Sequence, residues 1–138
     1  VLAEQDFTML VMDIEGGEHC AANQVLYHLE SRGIEYDMLD WMQARDMPLM
    51  AYSPLGRGKL LDHPVLGDIA NRHDATPAQV ALAAVLRHDG VIAIPKASTV
   101  AHVEANAAAL DIQFDAEDLE ALDRAFPPPK TAQPLDVI

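Results

Sequence analysis

Cysteine is nearly missing from this sequence: Cys20 stands alone among 138 residues. A lone thiol closes no internal disulfide, and its apolar neighbours predict a buried core position rather than a reactive one. Basic residues are scarce as well. Nine lysines and arginines face twenty-two acids, a net charge of −13. Nucleic acids and anionic membranes are therefore excluded as partners, since both need basic patches. A phosphate-bearing ligand has to be held by local charge against a repulsive overall field. No apolar run approaches the ~18 residues of a membrane span, and no leader pattern is seen, so the expected location is cytoplasmic. The six histidines show no HxxxH spacing and there is no CxxC pair, which predicts no metal site. Ser53 lacks the GxSxG setting of a hydrolase nucleophile.

Hydrophobic residues make up 50% of the chain and aromatics 5%, which suits a globular α/β chain. Short apolar runs alternate with helical stretches. His19 to Val25, Pro48 to Ala51 and Val91 to Pro95 read as strands. Glu35 to Arg45 reads as a helix with Met38, Trp41 and Met42 on one face. A short helix follows Asp62-His63-Pro64 and carries Val65, Leu66, Ile69 and Ala70. Thr76-Pro77-Ala78-Gln79 is a strong helix start: threonine caps, proline fills the first turn, and glutamine returns a bond to the cap. That helix ends at Asp89-Gly90. A further helix spans about Val100 to Leu110, with Val103, Ala107 and Leu110 at one-face spacing. Asp115 caps the last helix, where Leu119, Leu122 and Phe126 face inward and Glu117, Asp118 and Glu120 form a solvated face. Pro127-Pro128-Pro129 stops it. The reading is one domain over residues 1–138, with residues 127–138 as a mobile tail. Residues 1–15 read as a strand or helix remnant, and Gly16-Gly17 marks a turn. Alternating strands and helices imply parallel pairing through crossovers.

The most informative segment is Tyr52-Ser53-Pro54-Leu55-Gly56-Arg57-Gly58-Lys59-Leu60, at the end of a buried strand. Its glycines permit a tight turn and close approach to a ligand, and Arg57 and Lys59 add positive charge. That is the local chemistry of a phosphate site, without the spacing of a Walker A loop or a Rossmann glycine triplet. A solvated surface turn with two cations has the same local pattern.

Taken in order, Asn23-Gln24-Val25-Leu26-Tyr27-His28, Ala51-Tyr52-Ser53-Pro54-Leu55-Gly56-Arg57-Gly58, Thr76-Pro77-Ala78-Gln79-Val80-Ala81-Leu82 and Ile94-Pro95-Lys96 resemble the aldo-keto reductase family over roughly residues 16–126. The resemblance implies an α/β fold that is part of a (β/α)8 TIM barrel. Such barrels need about 250 residues, so this chain matches the C-terminal half, a half-barrel of about three parallel strands with flanking helices. It implies an oxidoreductase using NADP or NAD. By resemblance Gln24 holds the nicotinamide carboxamide and Tyr52 stacks under the ring. Ser53, Pro54, Leu55 and Gly56 lie along the pyrophosphate, with backbone N–H groups as anion ligands. Lys96 meets the 2′-phosphate, His102 occupies the place of a second cation there, and Asn106 touches the adenine. His102 stands where many members have arginine, Ala97 where many have serine, and Ala105 where many have glutamate. Both NADP and NAD therefore remain candidates, and affinity is expected to follow the protonation of His102. The family's catalytic aspartate, tyrosine, lysine and histidine fall in its N-terminal half and match no segment here, so the chain alone is expected to be inactive. His28 follows the first matched strand and is not a member of that tetrad. Three strands cannot close a barrel, which leaves strand edges free and predicts self-association. The alternative is a non-catalytic, self-associating or nucleotide-binding half-barrel protein, and a fragment of a longer enzyme carries the same sequence.

Overall fold

The computed structural model describes residues 20–137. The N-terminal readings at residues 1–15, Gly16-Gly17 and His19 fall outside them. Three parallel strands, β1 (Asn23–Leu26), β2 (Leu49–Tyr52) and β3 (Val91–Ala93), form one sheet in the order β1-β2-β3. Five α-helices follow in chain order: α1 (Met38–Gln43), α2 (Pro64–Arg72), α3 (Pro77–Leu86), α4 (Val100–Ala107) and α5 (Ala116–Ala125). The expected half-barrel architecture is what the chain adopts. Among the described residues no helix is long and apolar enough to cross a membrane.

Alternation along the strands decides which side is core. The registers Asn23 to Leu49, Val25 to Ala51, Leu49 to Val91 and Ala51 to Ala93 put these residues on one face. That face packs on Met38, Leu39 and Met42 of α1, with Met47 and Val85. The other face carries Gln24, Leu26, Met50, Tyr52 and Ile92. There Ile92 is 44% and Ile94 41% exposed.

Helix α3 is apolar all round, which marks a buried helix. Every residue from Val80 to Val85 is buried in it. It starts as its sequence dictates: the Thr76 hydroxyl accepts from the Gln79 N–H, and the Gln79 side chain accepts from the Thr76 N–H at 2.8 Å. A second core joins Leu66, Ile69 and Ala70 of α2 to Val80, Ala81 and Ala84 of α3, and to Leu122 and Phe126 at the end of α5. Full burial of such a leucine is worth about 1.5–3 kcal/mol.

Four expectations need correction. Helix α4 has no buried residue, with Val103 56% and Leu110 66% exposed. One-face spacing says which residues share a side, not that anything covers it. In this region Ala109, in the 3₁₀ turn Ala108–Asp111, is the residue that reaches the interior. Leu119 is half exposed while Leu122 and Phe126 are buried. Cys20 is exposed, because the strand begins only at Asn23 and leaves the thiol ahead of the sheet. Asp118 is not on a solvated face: it is fully buried.

Asp118 is the centre of a clasp between α2 and α5. Its carboxylate accepts from the Arg72 guanidinium and lies 2.6 Å from Nε2 of His73. It also closes a capping box, since the Asp115 N–H donates to Asp118 and the Asp118 N–H to Asp115 at 2.8 Å. Burial pushes this carboxyl up, but the bonds from His73, Arg72 and the Asp115 N–H outweigh burial and hold it below the ordinary carboxylate range. A second polar knot joins the segment after β1 to α5. Arg32 is buried and donates to both Glu35 oxygens at 2.8 and 2.7 Å, to Asp123 at 2.8 Å and to the Phe126 carbonyl. The Tyr27 hydroxyl donates to Glu35 at 2.7 Å. Burial opposes ionisation of Glu35, yet Arg32 and Tyr27 hold it low. Burial and the Glu35 charge push the Tyr27 phenol far up.

Candidate functional site

The C-terminal ends of β2 and β3 leave the sheet side by side. The Ile94 N–H donates to the Ala51 carbonyl at 3.1 Å, which carries the pairing past the last strand residue. Ile94-Pro95-Lys96 therefore runs beside the loop that follows Tyr52. That loop turns through left-handed backbone at Ser53 (φ 49°), Gly56 (φ 52°), Arg57 (φ 58°) and Gly58 (φ 85°). Gly56 is required there twice over. Its φ suits glycine, and an added Cβ would come within 2.5 Å of Leu60 Cδ2, a side chain buried to 2%.

Between these segments lies an open cleft of about 410 Å³ lined by Ser53, Pro54, Leu55, Arg57, Gly58, Ile94, Pro95 and Lys96. A second hollow of about 290 Å³ is lined by Gln24, Val25, Leu26 and Tyr52, together with Leu135, Asp136 and Val137 of the C-terminal tail. The tail is tied there by the Ser31 hydroxyl, which donates to Asp136 at 2.6 Å. Volumes of this size suit small-molecule sites.

The nine residues singled out from the sequence thus divide. Ser53, Pro54, Leu55 and Lys96 meet around one cleft, with Gly56 in the turn behind it. Gln24 and Tyr52 share the second hollow. His102 and Asn106 lie on α4 and line neither; His102 is exposed and its N–H donates to the Thr99 hydroxyl at 3.2 Å. The Gly56 N–H is not free for an anion, since it donates to the Ser53 carbonyl at 2.9 Å, and the Gly58 N–H donates to the Leu55 carbonyl at 2.7 Å. Sequence reasoning did not place the tail residues in the hollow. Ser31 and Asp136 are 105 positions apart, and no local pattern marks such a contact.

The electrostatics are asymmetric. Arg57 and Lys96 line the cleft and no carboxylate does, in a chain of net charge −13. The second hollow carries the Asp136 carboxyl. His28 packs against the turn, its Nδ1 3.4 Å from where a Cβ on Gly56 would sit, and accepts from the Glu30 N–H at 3.2 Å. Burial pushes the pKa of His28 down, with Glu30 and Asp136 opposing. An accepting Nδ1 fits the neutral ring. Among the described residues no cluster of three metal-ligating side chains occurs. The arrangement suits a phosphate-bearing, elongated ligand: a cationic cleft at one end, and an amide beside an aromatic ring at the other.

The family model described as "Aldo/keto reductase family" matches residues 8–126. The chain is 52% identical over 130 residues to "Methylglyoxal reductase YeaE" of Escherichia coli K12, covering 91% of this chain and 46% of that protein. A crystal structure of an aldo/keto reductase from Klebsiella pneumoniae in complex with NADP and acetate superposes with a TM-score of 0.89 at 49% identity, covering 95% of this chain and 48% of that one. A second structure of an aldo-keto reductase from the same organism, in complex with NADPH, gives 0.87 at 48% identity, over 100% and 50%. The chain spans about half the length of the relatives it matches.

Proposed function

This chain belongs to the aldo/keto reductase family, and from that membership we propose that its 138 residues form the nucleotide-gripping half of an NAD(P)H-dependent carbonyl reductase. The observation that carries the reading is the meeting of Ser53, Pro54 and Leu55 with Lys96 around one cationic cleft, next to the hollow of Gln24 and Tyr52. The donor set fits a nicotinamide dinucleotide. Gln24 offers an amide for the carboxamide and Tyr52 a flat face for the ring. Ser53, Pro54, Leu55 and Gly56 border the pyrophosphate. Lys96 takes the adenosine phosphate, and His102 and Asn106 on α4 take the far end. The bound cofactor supplies the hydride. This chain's part is to hold and orient it. Proton donation requires the family's catalytic tetrad, which no segment of these residues matches, so the 138 residues alone do not turn over. With that machinery present, the name of the 52%-identical relative makes methylglyoxal the first carbonyl to offer.

Titration of the purified chain with NADPH, followed by nucleotide fluorescence, tests the reading. Saturation in the micromolar range supports it; no binding at millimolar nucleotide rejects it.

A second reading rests on a separate observation. Among the described residues β1 and β3 each have one unpaired edge, and Ile92 and Ile94 are exposed on the sheet face. Free edges invite pairing with another chain. Under this reading the chain is a self-associating half-barrel. Sedimentation showing a compact monomer at high concentration rejects it.

A further inference from the structure

We propose that Arg87 and His88 form an acid-operated exchange at the end of α3. The unprotonated imidazole holds the Arg87 guanidinium near the Glu35 carboxylate. A proton on His88 releases Arg87 toward the neighbouring cavity and seats the imidazolium by Glu35 instead. The device lies outside the β2–β3 cleft and does not depend on the nucleotide reading.

The position of the proton follows from the partners. A guanidinium has donors only. The Arg87 Nε–H donates to Nε2 of His88 at 3.1 Å, so Nε2 is the unprotonated nitrogen of the ring. The same Nε2 lies 3.9 Å from Oε1 of Glu35. Protonation turns this acceptor into a donor. The ring then loses Arg87 and gains a carboxylate to pair with.

Charge balance decides which cation leaves. Two acids, Glu35 and Asp123, meet two bases, Arg32 and Arg87. A proton on His88 adds a positive charge to a group that is already balanced. The Arg32 side chain is 4% exposed and donates to Glu35, Asp123 and the Phe126 carbonyl. Arg87 is held far less firmly. Its Nη2 is 4.0 Å from Glu35 and 3.8 Å from Asp123, and its Nη1 is buried without a partner. The bond to His88 is the one side-chain hydrogen bond Arg87 makes among the described residues. A buried donor left unpaired is costly, so release also relieves Nη1. There is room for it: a cavity of about 610 Å³ is lined by Arg87, His88, Ile112, Phe114 and the half-exposed Asp123.

The other groups around His88 keep their states. The Tyr27 ring is 6.3 Å away, and burial and the Glu35 charge push its phenol far up, so it stays protonated. Burial opposes ionisation of Glu35, but Arg32 and Tyr27 keep it ionised. Asp89, next in the chain, is exposed. Burial and then Arg87 push His88 down, with Glu35 opposing. The exchange therefore runs as pH falls below the ordinary imidazole value of about 6.5.

Nitrogen NMR of the ¹⁵N-labelled chain between pH 8 and pH 5 tests this. At pH 8 His88 is expected as the Nδ1–H tautomer, with the Arg87 Nε–H protected from solvent exchange. As His88 protonates, that N–H is expected to exchange about tenfold faster or more, the scale of one lost hydrogen bond. In H88Q, whose amide oxygen accepts without titrating, protection is expected to persist to pH 5. A thermal melt at pH 8 checks that H88Q is folded. An Nε2–H tautomer at pH 8 would overturn the exchange, and so would Arg87 protection that is unchanged when His88 protonates. Both readings are made on the wild-type chain and stand whether or not H88Q folds. Loss of protection in folded H88Q at the same pH as in wild type would overturn it as well, because another group would then be the trigger.

Discussion

At the junction of α2 and α5, Asp118 is fully buried and bonded to Arg72, His73 and the Asp115 N–H. At the β2–β3 cleft, Arg57 and Lys96 face no carboxylate, and the backbone turns through left-handed conformations. One region satisfies its charges, obeys the rules of helix capping and buries its acid. The other leaves cations unmatched and places a non-glycine residue where glycine fits. The first arrangement ties two helices together; the second leaves two solvent-exposed cations beside left-handed backbone. Left-handed backbone at a non-glycine residue beside solvent-facing cations is a combination that binding sites collect and packed cores do not.

The largest effect that can break this comparison is at the clasp. Asp118→Ala is expected to cost about 3 kcal/mol, toward the low end for a buried ion pair because the Arg72 side chain is 41% exposed. Nucleotide affinity at a temperature where the variant is folded is expected to stay unchanged. Urea melts and NADPH titration of the same sample check both halves. A matching loss of affinity would mean that the two regions are coupled.

The clasp and the Arg32 knot together set an acid limit. Asp118 and Glu35 are both held below the ordinary carboxylate range. As pH falls through about 4 the unfolded chain takes up these protons first, so stability present above that range is lost on the way down. His28 and His88 are both pushed down chiefly by burial. They begin the decline earlier, as pH falls below about 6.5, where the unfolded imidazoles protonate and the folded ones do not. Melting temperature against pH is expected to fall in two stages, and Asp118→Asn is expected to flatten the lower one.

Gly56→Ala tests the turn, where strain and packing meet. It forces a Cβ onto φ 52° and into Leu60, and is expected to cost about 2 kcal/mol and to weaken NADPH binding as well. Loss of stability without loss of affinity would detach the turn from the site. The smallest effect has the opposite sign. Arg57→Gly relieves the left-handed strain but loosens the unfolded chain, for a net gain of about 0.5 kcal/mol, readable in a thermal melt. A clear loss of stability would show that Arg57 is a structural residue, and the contrast between the two regions would collapse.

Much of this was written locally in the sequence. Thr76, Pro77 and Gln79 announce the start of α3, and the short apolar runs place all three strands within a few residues. That Ser53, Pro54, Leu55 and Lys96 would come together at one cleft was legible because loop chemistry and strand ends are local features. Most of the errors share one cause. Glu117, Asp118 and Glu120 look alike in sequence, and only contacts from Arg72 and His73, 46 and 45 positions away, select the middle acid for burial. Val103 and Leu110 have helical spacing, yet spacing carries no information on whether a neighbour arrives. The amides of Gly56 and Gly58 look available until their carbonyl partners are seen.

The tether between Ser31 and Asp136 has a practical side. It holds Leu135 to Val137 as part of the wall around Gln24 and Tyr52. Val137 itself is 60% exposed and stands at the rim of that hollow. A fluorophore placed at Val137 would report on any change at the hollow of Gln24 and Tyr52.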